Sequence, residues 1–115
     1  MAVCSYFGSV VQLRDVRTGK VLASLPQGTR PLSVAWDWGG RTLAVGLAES
    51  RLIRLYDWAT LQPFRTLEAD QAASHLAFNH VGDRLAVTGW GGFVELFDVG
   101  TGQKPGIRHA GRRQP

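Results

Sequence analysis

The stretch LSVAWDWGGRTLAVGLAESRLIRLYD, residues 32–57, decides the fold. It contains three short runs rich in Val, Leu, Ile and aromatic residues, a composition that favours β-strands. The predicted strands span residues 32–36, 42–46 and 52–57, and residues 62–67 add a fourth. A turn containing two glycines separates the first two strands. Because these two runs are almost continuously apolar, we expect a sheet that is buried on both faces.

The same pattern recurs on both sides of this stretch with a period of about 42 residues. The recurring pairs are Ala2-Val3, Ala44-Val45 and Ala86-Val87 in one register, and Asp15/Thr18, Asp57/Thr60 and Asp98/Thr101 in another. A period of roughly 40–45 residues with four strands in each unit is typical of the blades of a β-propeller.

The Asp-x-x-Thr spacing predicts a turn at the end of the third strand of each repeat. The aspartate side chain accepts hydrogen bonds from backbone N–H groups that follow it, and the threonine hydroxyl adds a second such bond. We therefore interpret these six residues as turn builders, not as catalytic groups. Gly19 and Gly102 follow the turn in two copies and tolerate a positive φ. Leu61 takes that place in the second copy, so its hairpin is expected to form differently or to carry strain.

The third copy, HLAFNHVGDRLAVTGWGGFVELFDVGTGQ (residues 75–103), resembles a degenerate WD repeat. Its VGDR lies at the place of the family's first hairpin turn, and its LFD at the place of the Trp-Asp pair. Arg14, Tyr56 and Phe97 replace the tryptophan of that pair, and the Gly-His pair is missing before the first strand. The hydrogen-bonded tetrad of the family is therefore absent, and packing has to supply the stability. The order of GTRP, SVAW and LAV is also similar to propellers of the YVTN and lactonase-like group.

The resemblance implies an all-β fold built from antiparallel four-stranded blades of a β-propeller. About two and a half blades are expected, so this chain alone does not close the ring. The expected units are an incomplete blade at 1–25, a complete blade at 32–67 and a third blade at 73–103, which together form a partial propeller at 1–103. Residues 104–115 are expected to form a basic, flexible tail.

Two exposed blade faces follow from an open ring, and such apolar faces mark association sites or aggregation hazards. Three hypotheses remain open. The chain is part of a larger parent propeller, it completes a ring by self-association, or it is a truncated reading frame without independent activity.

Charge and composition argue against several functional classes. The net charge is +4, but the acidic and basic residues of 1–103 balance, so the excess lies in the tail. Nucleic-acid binding is therefore not the expected role, because a nucleic-acid-binding domain carries its basic residues on a face of the folded domain and not in a tail. No apolar run reaches the roughly 18 residues of a membrane span, and the N-terminal segment lacks the basic start of a signal peptide. The single cysteine, Cys4, is interpreted as a packed thiol, and we expect a cytoplasmic protein.

No catalytic residue, cofactor-binding residue or metal ligand is predicted. His75 and His80 are separated by a turn and are not a ligand pair, and no nucleophile elbow is present. The chain is therefore predicted not to be an enzyme. The alternative is a fragment of a propeller enzyme of the lactonase-like or quinoprotein-like kind, whose site would lie in the central channel. The predicted innermost strands offer only Ser33 and His75 as polar groups for such a site.

Three tryptophans fall in or near predicted turns: Trp38, Trp58 and Trp90. Tryptophan and tyrosine dominate the energetics of protein interfaces, so these residues are candidate partner contacts. The alternative is that they cap the sheets against solvent. The sequence favours a non-catalytic protein–protein interaction scaffold whose partners are other proteins or further propeller blades, with no cofactor.

Overall fold

The computed structural model describes residues 2–48, 50–89, 92 and 94–104, with side chains from residue 8 onward. This part of the chain contains ten β-strands. The strands are β1 (Ala2–Phe7), β2 (Val10–Asp15), β3 (Val21–Pro26), β4 (Pro31–Trp36), β5 (Thr42–Leu47), β6 (Leu52–Asp57), β7 (Gln62–Glu68), β8 (His75–Phe78), β9 (Arg84–Thr88) and β10 (Val94–Asp98). The described residues contain no helix, and so none that is long and apolar enough to cross a membrane.

The strands form three antiparallel sheets in which sequence neighbours pair with each other. The first sheet has the order β1-β2-β3, the central sheet β4-β5-β6-β7, and the third sheet β8-β9-β10. The pairings of β2 with β3 and of β6 with β7 both shift register at equivalent places, between Leu13 and Arg14 and between Leu55 and Tyr56. The extra residues are Leu22 in β3 and Phe64 in β7, and each increases the twist of the strand that follows the Asp-x-x-Thr turn.

The central sheet is packed between the other two, which explains its apolar run. In β5, Leu43, Val45 and Leu47 belong to a cluster shared with the first sheet. Ala44, which points to the opposite face, belongs to a cluster shared with the third sheet. Burial on both faces, as the sequence predicts, therefore follows from sheets stacked face to face.

The predicted fold class is confirmed: the described chain is all-β, its sheets are antiparallel, and they do not close into a ring. The outer strands of the first and central sheets leave large apolar side chains in solvent, among them Val21, Leu22 and Phe64.

A buried polar contact joins the first sheet to the central one. Gln27 is 3% exposed and donates from Nε2 to the Tyr56 hydroxyl at 2.9 Å. The Arg54 guanidinium donates to both the backbone and the side-chain oxygen of Gln27, at 2.9 and 2.8 Å. A buried amide is costly unless it is paired, so these bonds favour one arrangement of the two sheets.

Other polar contacts join the central sheet to the third. Arg65 of β7 donates to the carbonyl oxygens of Gly100 and Thr101 at 2.8 and 3.0 Å. Ser33 of β4 is buried and donates to the carbonyl oxygen of Ala73 at 2.7 Å, in the segment between β7 and β8. Each contact ties a strand of one sheet to the backbone of the next.

Lys104, the first residue of the predicted tail, is held against the third sheet. Its ammonium lies 2.7 Å from a carboxylate oxygen of Glu95, 3.3 Å from one of Asp70 and 5.6 Å from the centre of the Phe97 ring. The hydrogen bond to Glu95, opposed by burial, raises the pKa of Lys104. The rest of the predicted tail, residues 105–115, lies outside the described residues.

Candidate functional site

The three aspartates of the Asp-x-x-Thr turns each bond to the backbone that follows them. Asp15 Oδ1 accepts hydrogen bonds from the backbone N–H groups of Arg17 and Thr18. Asp57 Oδ1 accepts one from the N–H of Ala59, and Asp98 Oδ1 accepts one from the N–H of Thr101. The carboxylates that the sequence singled out thus bond to their own turns.

The threonines of these turns also bond to the backbone. The Oγ1 atoms of Thr18, Thr60 and Thr101 each accept a hydrogen bond at 3.2 Å from the N–H two residues on, which belongs to Lys20, Gln62 and Gln103 respectively. This is the second turn bond that the sequence predicts.

Thr60 differs from the other two threonines in its own backbone N–H. The N–H groups of Thr18 and Thr101 donate to the aspartate of their turn, whereas in the second copy the described donor to Asp57 is Ala59 and not Thr60. The difference occurs in the one copy whose next residue is Leu61 instead of glycine, where a different hairpin was expected.

The residue that follows each of these threonines has a positive φ. It is 75° at Gly19, 58° at Leu61 and 78° at Gly102. Leu61 is the only non-glycine residue of the described chain in this region, and strain at this hairpin was expected from the sequence. Its side chain packs against the cluster between the first and central sheets, which offsets part of that cost.

Alanine at Gly19 and at Gly102 is expected to destabilise the chain to different degrees. A Cβ at Gly19 meets no atom within 4 Å, so only the left-handed backbone resists, at about 1 kcal/mol. A Cβ at Gly102 lies 2.8 Å from Arg65 Cδ and displaces the guanidinium from its bonds to the third sheet, for a total of about 2 kcal/mol. Urea unfolding of both variants checks the order; a larger loss for Gly19→Ala would contradict it.

An aromatic groove lies where the turns of the first and central sheets meet. Its lining residues are Asp15, Leu22, Trp36, Asp37, Trp38, Gly40 and Trp58, and they enclose about 340 Å³. The first sheet contributes the end of β2 and the start of β3. The central sheet contributes the end of β4, the β4–β5 turn and the residue that follows β6. The groove therefore exists only because the two sheets pack against each other.

The tryptophans of the groove differ in how firmly they are held. Trp36 and Trp58 pack edge to face, with ring centres 5.5 Å apart, and both adjoin the cluster between the first two sheets. Trp38 is 72% exposed and is supported by the His80 ring at 4.7 Å, from the turn of the third sheet. The indole nitrogen of Trp36 is buried, and no described residue accepts its hydrogen bond. The groove thus has a fixed wall and one tryptophan presented to solvent.

Two carboxylates border this aromatic surface. Asp37 Oδ1 accepts hydrogen bonds from the N–H groups of Arg41 and Thr42, as Asp15 Oδ1 does in its own turn. No described residue donates a hydrogen bond to the Oδ2 atom of either aspartate. No described residue that lines the groove is basic. The groove is therefore aromatic and acidic in character.

Two of the three predicted contact residues lie in the groove. Trp38 and Trp58 both line the groove, whereas Trp90 lies outside the described residues. Asp15 serves both the turn and the groove. Sequence reasoning missed Trp36, Asp37 and Leu22. A tryptophan that ends a strand beside a second one in the following turn was a usable signal for the first of these; nothing in the sequence pointed to Leu22.

The described residues were compared with the metal-site and channel roles considered from the sequence. No cluster of three or more His, Cys, Asp or Glu side chains is present there with the proximity that a metal site requires. Ser33, a candidate for a propeller enzyme's channel, is buried and donates its hydroxyl to the carbonyl oxygen of Ala73. His75, the other candidate, is exposed at the start of β8. The aromatic groove is the strongest candidate site in the part of the chain that the structure describes.

The antiparallel sheets are stacked face to face, as adjacent blades of a β-propeller are. Among solved structures, the chain is similar to the WD40 repeats of RRP9, with a TM-score of 0.78 and 23% sequence identity over 90% of this chain and 34% of that one. It is also similar to the hydrazine synthase of Kuenenia stuttgartiensis, with a TM-score of 0.77 and 23% identity over 87% of this chain and 29% of that one. The chain thus spans about a third of each structure that it matches.

Other comparisons give no match. No family model matches the sequence, and neither does any curated protein. The likeness to solved structures establishes the propeller fold, which hosts many unrelated functions.

Proposed function

We propose that this chain is a non-catalytic segment of a WD-repeat β-propeller that binds other proteins through the aromatic groove. The observation that carries the proposal is the exposure of Trp38 in a groove of about 340 Å³ that the packed pair Trp36 and Trp58 also lines. Interface hot spots are enriched in tryptophan and cluster in well-packed pockets, and ligand sites are concave and largely pre-formed.

Pre-organisation of the groove supports this role. Trp36 and Trp58 are fixed by packing before any partner arrives, so little side-chain entropy is lost on binding. Membership of the WD-repeat family is supported by the repeated Asp-x-x-Thr turn and by the similarity to the WD40 repeats of RRP9.

A competing role is a blade segment of an enzyme, since one similar solved structure is a hydrazine synthase. We favour a binding role because the polar groups of the described chain serve turns and sheet contacts, as Asp57 and Ser33 illustrate.

Trp38→Ala is expected to weaken partner binding at least about tenfold, because a truncated hot spot costs roughly 2 kcal/mol or more. The measurement is quantitative capture of proteins from a cell extract by the immobilised full chain, followed by titration of whatever protein is retained. Phe64→Ala is the matched control, since Phe64 is 46% exposed on β7 and does not line the groove.

The proposal is supported if the Trp38 variant loses a partner that the Phe64 variant keeps. Equal retention by both variants, or no retained protein with the parent chain, would count against it. Far-ultraviolet circular dichroism of each variant establishes that the sheets are intact.

A further inference from the structure

We infer that the aromatic groove recognises a cationic side chain, lysine or arginine, presented by the partner protein. The inference rests on the proposed function for the source of that side chain, and on the chemistry of the groove for its charge. Its ground is the combination of three tryptophan rings with two carboxylates in one concave surface, without a basic residue among the lining residues that the structure describes.

The rings provide the first part of the attraction. The face of an indole carries negative charge density, and tryptophan is the best of the aromatic side chains for holding an ammonium or guanidinium. Trp36 and Trp58 meet edge to face, so their planes lie at 81° to each other and form two walls of a corner. Trp38 borders the same space and is open to solvent, where an incoming side chain reaches it.

The carboxylates provide the second part. The turns fix both aspartates through Oδ1, at 2.7 Å from the N–H of Arg17 for Asp15 and from the N–H of Arg41 for Asp37. Their Oδ2 atoms carry the remaining acceptor capacity and receive no hydrogen bond from a described residue. Carboxylates held in this way keep their positions without a partner, so a cation gains attraction without having to order them.

The geometry also distinguishes a cationic side chain from a purely apolar one. Both aspartates serve their turns, but their charges remain at the border of the groove, and desolvating them opposes a purely apolar occupant. A lysine satisfies both parts of the surface, because its methylene stem covers indole rings while its ammonium faces carboxylate oxygens.

The test is a titration of the full chain with blocked single amino acids, followed through the indole N–H signals in two-dimensional NMR. The probes are Nα-acetyl-lysine methylamide, Nα-acetyl-arginine methylamide and the neutral Nα-acetyl-norleucine methylamide, at equal ionic strength. We expect saturable shifts at Trp38 and Trp58 with a cationic probe, and binding of the norleucine probe that is weaker by about tenfold.

Matched variants identify the source of the preference. Trp38→Phe keeps an aromatic face and is expected to retain it, whereas Trp38→Leu keeps apolar bulk and is expected to reduce it several-fold. Asp37→Asn preserves the Oδ1 acceptor of the turn but removes the charge, and is expected to weaken cation binding without unfolding the sheet. Phe64→Ala is expected to leave every titration unchanged.

The outcomes separate this inference from the proposed function. Equal binding of the lysine and norleucine probes, or no shift with any probe, would overturn the cation specificity. Protein capture that depends on Trp38 but not on Asp15→Asn or Asp37→Asn would leave the proposed function standing and overturn the inference. Cation-specific shifts without any captured protein would support the chemistry of the groove and overturn the proposed function.

Discussion

Replacing Phe97 by alanine is expected to destabilise the chain by about 3–5 kcal/mol, the usual cost of deleting a fully buried phenylalanine. Phe97 is 2% exposed and lies in β10, within the cluster between the central and third sheets. Its removal leaves a cavity that the neighbouring strands are unable to fill, because β9 beside it and β6 of the central sheet are both fixed by backbone pairing.

Phe64→Ala is the control, because the same side chain is deleted from an exposed position on β7. Its expected cost is below about 1 kcal/mol. Urea unfolding of the two variants, followed by far-ultraviolet circular dichroism, measures both losses. Similar losses at Phe97 and Phe64 would contradict the packing of the third sheet against the central one.

Replacing Gly46 by alanine is expected to destabilise the chain by about 3 kcal/mol, from overpacking together with a lost buried hydrogen bond. A Cβ at this place lies 2.7 Å from Ser33 Oγ, 3.0 Å from Ala73 Cβ and 3.2 Å from the Ala73 carbonyl oxygen. These atoms form the contact by which β4 holds the segment leading to β8, so relief of the clash has to move that segment.

Gly39→Ala is the matched control, since a Cβ there meets only Arg41 Nε at 3.6 Å and the backbone is not left-handed. Its expected effect is within about 0.5 kcal/mol of zero. Thermal or urea unfolding compares the two variants. A tolerated alanine at Gly46 would mean that the segment between β7 and β8 does not cross the central sheet at this place.

Much of the fold could be predicted from the sequence, because each strand carries its own local signal. The period of about 42 residues and the apolar runs indicated the strands of the central sheet. The almost continuous run at β5 indicated that its sheet is covered on both faces, and the two clusters that share β5 account for it. Even the strain at Leu61 followed from its place in the repeat, where the other copies have glycine.

The hydrogen bonds of the turns could be predicted only in part from the sequence repeat. The hydroxyl bond of Thr60 could be predicted from its spacing, because it depends only on residues close in sequence. The donor to Asp57 could not, since the same spacing gives different donors in the three turns: Arg17 and Thr18 to Asp15, Ala59 to Asp57 and Thr101 to Asp98.

The aromatic groove could be predicted only in part. Trp38 and Trp58 were singled out by their position in turns, but Asp15 and Leu22 join them through the angle at which the first sheet meets the central one. That angle depends on buried contacts such as the hydrogen bond between Gln27 and Tyr56, which are 29 residues apart and carry no mutual sequence signal. The ion pairs of Lys104 could not be predicted either. Its long side chain reaches the carboxylates of Glu95 and Asp70, which lie far from it in sequence or on another strand, so a residue predicted in the flexible tail is held by the folded sheets.

The groove and both proposals depend on the packing of the three sheets against one another. Nuclear Overhauser effects between side chains of different sheets test it most directly. We expect contacts between the Gln27 amide and the Tyr56 ring, where Gln27 Nε2 lies 2.9 Å from the Tyr56 hydroxyl oxygen. We also expect contacts between the Trp38 and His80 rings, whose centres are 4.7 Å apart. Effects found only between paired strands of one sheet, with neither of these contacts, would contradict it.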